Sequence, residues 1–190
     1  MDGNIQITSE RLMLRPIQLG DSALIFAYRS DSAANQYQGW IPKTVDDVDD
    51  FITNRTAPEI NLSGTWFQLV IIKKDTDELI GDIGVHFLNS DGCQVELGIT
   101  LNENHQGKGF ATEALKGVIN FLFDDLNKHR ITASIDPRNL KSIQLFERLG
   151  FRKEAHFKQS ILIKGGWVDD LIYAILKDEW SKIRQSVSVK

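Results

Sequence analysis

The 190-residue sequence predicts an α+β fold built on a mixed, mostly antiparallel sheet. Three observations predict it. Between Thr65 and Leu101, the runs TWFQLVIIKK, LIGDIGVHFL and CQVELGITL are rich in β-branched and aromatic residues and read as an antiparallel meander. After them, Ala111, Ala114, Leu115, Val118, Phe121, Leu122 and Leu126 recur at helical spacing and form one apolar face. Arg130 to Asp136 then alternates apolar with polar residues, and a strand reached through a helix is expected to lie parallel to the strand before that helix.

The remaining elements follow in order. RLMLR, Arg11 to Arg15, alternates and reads as a short strand. Asp21-Ser22 precede ALIFAY, a helix. Thr44 with Asp47 has the spacing of a capping box opening a second helix through Phe51 and Ile52. The acidic run Asp46, Asp47, Asp49 and Asp50 then lies where the helix dipole favours anions; a cation-binding patch is the alternative. Gly81 and Gly84 suggest a bend or bulge, and Asn89-Ser90-Asp91-Gly92 a hairpin turn. Asp136-Pro137 ends the strand that begins at Arg130. Asn139 can cap a helix whose apolar side is Ile143, Phe146 and Leu149, with Gly150 as its stop. Two extended segments, Phe151 to Ile163 and Leu171 to Leu176, flank a hairpin tip at Lys164-Gly165-Gly166. No repeat or linker divides the chain, so residues 1–190 are read as one domain.

Hydrophobic residues make up 42% and charged residues 25%, an ordinary globular composition. A net charge of −4 without a basic tract argues against nucleic acid as a partner. The lone Cys93 cannot form an internal disulfide and fits a reducing compartment. MDGNIQITSE has no apolar segment of the secretory kind, and no apolar run approaches the roughly 20 residues of a membrane span. His86, His105, His129 and His156 are scattered, and none stands at a metal-like spacing from Cys93. His105 is expected to face solvent. The expectation is a cytoplasmic, metal-free protein.

The stretch NHQGKGFATEAL, Asn104 to Leu115, places flexible residues where a helix must begin. The first turn of a helix carries N–H groups without internal partners, and with the dipole these form an anion site. Gly107 and Gly109 let a phosphate approach the backbone, Ala111 is small, and Lys108 adds charge; the pattern fits a pyrophosphate. The G-x-x-x-x-G-K-[ST] loop is excluded because Gly109 follows Lys108. The G-x-G-x-x-G pattern would require glycine at Thr112. A glycine-rich connection serving only tight strand–helix packing is the other reading.

Gln106-Gly107-Lys108-Gly109-Phe110-Ala111 resembles the Q/R-x-x-G-x-G/A loop of the GNAT superfamily of N-acetyltransferases. NLKSIQLFERLGF resembles that family's second conserved helix, and TSERLMLRPIQLGD and GGWVDDLIYAILKDEW resemble its ribosomal-protein alanine and serine N-terminal acetyltransferase branch. The resemblance covers nearly the whole chain. It implies a sheet of six to seven strands, splayed in the middle, with about four helices on both faces. It implies acetyl-CoA as cosubstrate, with the pyrophosphate on residues Gln106 to Thr112 and the pantetheine arm on exposed backbone between Leu97 and Leu101, including Ile99 and Thr100. Gly98 would mark a bulge freeing such groups.

By the same resemblance Glu96 is the general base; a solvent-facing strand glutamate is the alternative. Backbone N–H groups near Ile99 would stabilise the oxyanion. Many members carry a tyrosine that protonates the leaving thiolate, but Phe146 occupies its place here. Ser142, one turn earlier, matches the serine of the ribosomal-protein branch, and Asn139 matches a residue at the pantetheine arm. Each also has a local backbone-capping alternative. Tyr37, Trp40 and Trp167 fall in loops that line the acceptor groove in this family, or close the core edge. The expected acceptor is a protein or peptide α-amino group; a small-molecule amine and a non-catalytic acyl-CoA-binding module are the alternatives. A homodimer is possible in this branch.

Overall fold

The computed structural model describes residues 5–88 and 92–188. One eight-stranded sheet runs in the order β1-β2-β3-β4-β5-β6-β8-β7. Its strands are β1 (Ile7–Thr8), β2 (Leu12–Pro16), β3 (Thr65–Lys73), β4 (Leu79–Phe87), β5 (Gln94–Leu101), β6 (Arg130–Ile135), β7 (Arg152–Ile163) and β8 (Gly166–Leu176). The helices are α1 (Ser22–Arg29), α2 (Val45–Asn54), α3 (Phe110–Asn120), α4 (Leu140–Arg148) and α5 (Lys177–Ser188). The expected fold class holds, with an eighth strand and a fifth helix added. β1 has two residues, too few for any periodicity to show. α5 has no long apolar face; it is held by buried Trp180, whose indole N–H donates to Asn120 at 2.8 Å.

The meander β3-β4-β5 is antiparallel, and β6 lies parallel to β5 as the strand–helix–strand order requires. α3 passes into one π-helical turn, Phe121–Asp125, before β6. Thr44 caps α2 through the predicted box: its hydroxyl accepts from Asp47 N–H, and the Asp47 carboxylate accepts from Thr44 N–H. The neighbouring carboxylates are committed locally, with Asp49 accepting from Ser22 and Asp50 from Asn54. Of the hairpin turn expected at Asn89-Ser90-Asp91-Gly92, residues 89–91 lie outside the described residues.

Two apolar layers sandwich the sheet. One packs α3, α4 and Trp180 of α5 against residues such as Leu14, Ile83, Leu97 and Ile175. The other sets Ile25, Tyr28 and Val48 of α1 and α2 over Val70, Ile72 and Leu79. Each fully buried aliphatic side chain contributes about 1.5–3 kcal/mol relative to exposure.

The sheet's central irregularity positions the site. β5 and β6 pair only from Gln94–Arg130 to Glu96–Thr132, and then separate although both strands continue. β5 keeps an unbroken register with β4 from Val95 to Leu101, so no bulge lies at Gly98, contrary to expectation. The opening comes from divergence of two strands. The one irregularity in the β3–β4 register lies at Ile71/Ile72, opposite the chain between Leu79 and Gly81.

Candidate functional site

The turn before α3 leaves its donors open. Gly107 and Gly109 have φ of 74° and 84°, in the left-handed region that glycine adopts without strain. Conformation rather than space requires glycine at 107, because a Cβ there would meet nothing within 4 Å. Among the described residues, no N–H from Gly107 to Thr112 donates to a side chain or to a carbonyl outside the helix. The loop is braced from outside. Arg11 donates to the Lys108 carbonyl at 3.1 Å, and its guanidinium lies 4.5 Å from the centre of the Phe110 ring. Glu113 accepts from Ser9 Oγ (2.7 Å), Arg11 N (2.8 Å) and Arg11 Nε (2.7 Å). Burial raises the Glu113 carboxyl, but these donors outweigh it and hold the group below its ordinary range. The Lys108 ammonium turns back onto the Asn104 carbonyl at 2.7 Å. Gln106 is fixed between the Leu101 carbonyl and the Lys141 ammonium.

The β5 edge leads from this turn into the gap. The carbonyls of Val95, Ile99 and Leu101 accept from Thr132 Oγ1, Gln38 Nε2 and Gln106 Nε2, all away from β4. By the two-residue period, the backbone groups of Leu97 face the same gap. Thr100, expected with them, turns its backbone toward Asp82 of β4, and its hydroxyl is buried without a partner among the described residues.

Glu96 stands where the strands part. It pairs with His86 across β4–β5 and with Thr132 across β5–β6. It is half-buried, and burial first, then the charge of Asp170, pushes its carboxyl above the ordinary glutamate value. Asp170 of β8 is buried and accepts from Ser134 Oγ at 2.7 Å. His86, on the same sheet face as Glu96, stacks on Trp66 at 4.7 Å with planes 8° apart, and burial lowers its pKa. A Cβ at Gly98 would meet nothing within 4 Å, so the floor beside Glu96 is open. Sequence reading missed Asp170, Ser134, His86 and Trp66 as site residues. Period-two alternation marks which face each occupies, but the β6–β8 and β4–β5 registers that join them are long-range.

Asn139 caps α4, accepting from Ser142 N–H at 3.2 Å. The Ser142 hydroxyl is half-buried and has no hydrogen-bond partner among the described residues. Phe146 is buried with its ring edge-on to Phe151 at 5.0 Å. Of the three loop aromatics, Tyr37 lies 5.9 Å from the Arg138 guanidinium beside the gap. Trp40 packs into the core edge, stacked on Phe51 at 4.3 Å and beneath Arg29. Trp167 is 62% exposed on the β7–β8 hairpin. His105, expected in solvent, is instead buried, with Nε2 3.0 Å from Glu78. Among the described residues no helix is long and apolar enough to cross a membrane.

An open helix N-terminus, a strand edge with free amides and a carboxylate of raised pKa stand along one gap, an arrangement suited to holding an anionic acyl carrier against a base. Comparison with known proteins gives the same class. The sequence is 35% identical over 174 residues to the uncharacterized N-acetyltransferase p20 of Bacillus licheniformis, covering 91% of this chain and 97% of that one. It is 32% identical over 124 residues to the [ribosomal protein uS5]-alanine N-acetyltransferase of Escherichia coli, covering 65% and 64% of the two chains. A crystal structure of a GNAT-family acetyltransferase from Bacillus anthracis superposes with TM-score 0.81 at 28% identity, over 92% of this chain and 99% of that one. A spermidine N-acetyltransferase from Vibrio cholerae, in complex with CoA and spermine, shares the fold with TM-score 0.75 at 24% identity, over 91% and 99%. Residues 11–152 match the family model described as the acetyltransferase (GNAT) domain, and the chain belongs to that family of N-acetyltransferases.

Proposed function

We propose that the protein transfers an acetyl group from acetyl-CoA to the α-amino group of a protein or peptide N-terminus, with Glu96 as general base. One observation carries the catalytic part: Glu96 is a half-buried carboxylate of raised pKa at the point where β5 leaves β6. Bound acetyl-CoA supplies an activated acyl group as a thioester.

The unpaired N–H groups of residues 107 to 112 suit its pyrophosphate, with Gln106, Gly107, Lys108, Gly109, Phe110, Ala111 and Thr112 forming the turn. Leu97 and Ile99 offer backbone groups to the pantetheine arm, and Asn139 and Phe146 line the opposite side. An N–H at Ile99 suits the oxyanion. Glu96 accepts a proton from the attacking ammonium, directly or through water, which frees the lone pair that forms the N–C bond. As the C–S bond breaks, the nitrogen gives up its second proton, which passes through the Ser142 hydroxyl or water to the departing thiolate. A thiol of pKa about 8.5 leaves with modest help, so the loss of a tyrosine at Phe146 is tolerable.

The similarity to the uS5-alanine enzyme favours a protein N-terminus; the shared fold with a spermidine acetyltransferase keeps a small amine as the second reading. The test is thiol release from acetyl-CoA with peptides and polyamines, in the native protein and in Glu96→Gln. The expected loss in kcat is about 10²–10⁴, the ordinary worth of a general base. In the native protein the rate should rise with pH through the raised pKa of Glu96. A Glu96→Gln rate equal to the native one, with an unchanged pH profile, would remove Glu96 from the mechanism.

A further inference from the structure

Beyond the gap lies an open cleft of about 820 Å³, with Gln38, Ser30 and Ser32 on its walls and Lys43 and Lys164 at its rim. Gln38 joins it to the catalytic strand, since the same side chain reaches the Ile99 carbonyl. Tyr37 beside it touches Arg138 after β6, so the segment 37–38 meets both sides of the opening. Lys164 belongs to the β7–β8 hairpin tip, six positions before Asp170.

The two ends of this path carry opposite charge. At the inner end Glu96 and Asp170 have no cation within ion-pair distance among the described residues. At the outer end the ammonium groups of Lys43 and Lys164 are exposed, with no hydrogen-bond or ion-pair partner among the described residues. The nearby carboxylates of Asp47 and Asp31 stay charged, and Lys43 acts on Asp47, but both are turned onto backbone amides. Asp47 accepts from the N–H groups of Lys43 and Thr44, and Asp31 from those of Ala33 and Ala34. A polyamine, cationic along its whole length, would gain nothing from the two ammonium groups at the outer end.

We infer that the acceptor is an extended peptide whose free N-terminus lies at Glu96 and Asp170 and whose acidic side chains, near the fifth or sixth residue, lie against Lys43 and Lys164. This rests on the transferase reading above and narrows it. The length follows from the hairpin: the four strand steps from Asp170 to Gly166 span about 13 Å at about 3.3 Å each, and Lys164 lies past them in the two-residue turn, so it falls beyond the reach of about the first four residues of an extended acceptor. The ends also have separate tasks. The carboxylates hold and deprotonate the amine, while the lysines select sequence at a distance from the chemistry.

The test uses hexapeptides with one common first residue and Glu, Gln or Lys at the fifth and sixth positions. Thiol release is followed in the native protein and in the Lys43→Gln/Lys164→Gln double variant. The acidic peptide should show a KM about three- to tenfold below the Gln peptide, in keeping with exposed ion pairs. The Lys peptide should be poorest. Added salt should shrink the preference, and the double variant should lose it. Equal KM values in the native protein, or a preference retained by the double variant, would overturn the inference while leaving peptide acetylation intact. Release of thiol with spermidine but with no peptide would overturn both.

Discussion

Two buried carboxylate sites lie on the same face of the sheet, and their surroundings are opposite. Asp82 of β4 is 1% exposed and saturated with donors. Tyr28 OH reaches it at 2.5 Å, Arg29 Nε at 3.0 Å, and the Gln68 amide also donates to it. Burial alone would lower the Arg29 pKa, but the charge of Asp82 more than restores it, so the guanidinium stays ionised. Four residues further along β4 and one strand across, Asp170 and Glu96 are poorly served: Asp170 accepts from the Ser134 hydroxyl, Glu96 has no side-chain donor, and neither has a cation within ion-pair distance among the described residues. The first site pays for its own desolvation internally. The second leaves its charge uncompensated, which is what the proposed role of Glu96 toward a cationic acceptor needs.

That contrast can be broken most severely at Asp82. Asp82→Asn keeps the shape but leaves Arg29 buried without its counter-charge, which should cost about 3–5 kcal/mol. A denaturant midpoint reports it; a loss below about 1 kcal/mol would mean the network is not sealed from water.

A smaller effect is expected at Glu113, a paired carboxylate at the α3 turn. Glu113→Gln gives up charge-assisted bonds from Ser9 and Arg11, worth about 1.5–3 kcal/mol. Because the folded-state pKa of Glu113 is depressed, its stabilisation is present above the ordinary glutamate value and fades as pH falls through the depressed one. Urea melts across that acid range should be steeper in pH for the native protein than for the variant.

Glu96 should behave in the reverse sense. Its folded-state pKa is raised, so the native protein is most favoured below the ordinary glutamate value and loses stability as pH rises through the raised one. Glu96→Gln should therefore be more stable than native at neutral pH and equal to it in acid. A variant less stable at neutral pH would show that Glu96 is bound to the fold after all. The smallest expected change belongs to Asp170→Asn. With that neighbouring charge gone, the acid limb of the kcat/KM profile should move to lower pH, by less than removal of the burial contribution would move it.

The α2 capping box, the meander, the parallel return at β6 and the Asn139 cap were all legible because each is a local signal: a spacing, a period or a single turn. The open turn before α3 was legible for the same reason, since Gly107 and Gly109 announce backbone angles that few other residues adopt. What stayed hidden was pairing between distant segments. Asp170 acts on Glu96 only because β8 inserts between β6 and β7, an order no local pattern encodes. The bulge assigned to Gly98 erred in a related way: a local cause was read into an opening made by two strands drifting apart. Trp40 shows the ambiguity of an aromatic in a loop, for its stacking on Phe51 and Arg29 became visible only once α2 was in place.

The short β5–β6 ladder has a consequence for motion. Three register pairs are all that join the strand before α3 to the strand after it, and beyond them Leu97 and Ile99 have no strand to answer their outward amides. A coenzyme arm seated there would act as the missing rungs of a ladder, so the loaded protein should be the stiffer one. Amide hydrogen exchange along the far half of β5 would then slow on adding coenzyme A, while the sealed β3–β4 pairs beside it would keep their rate.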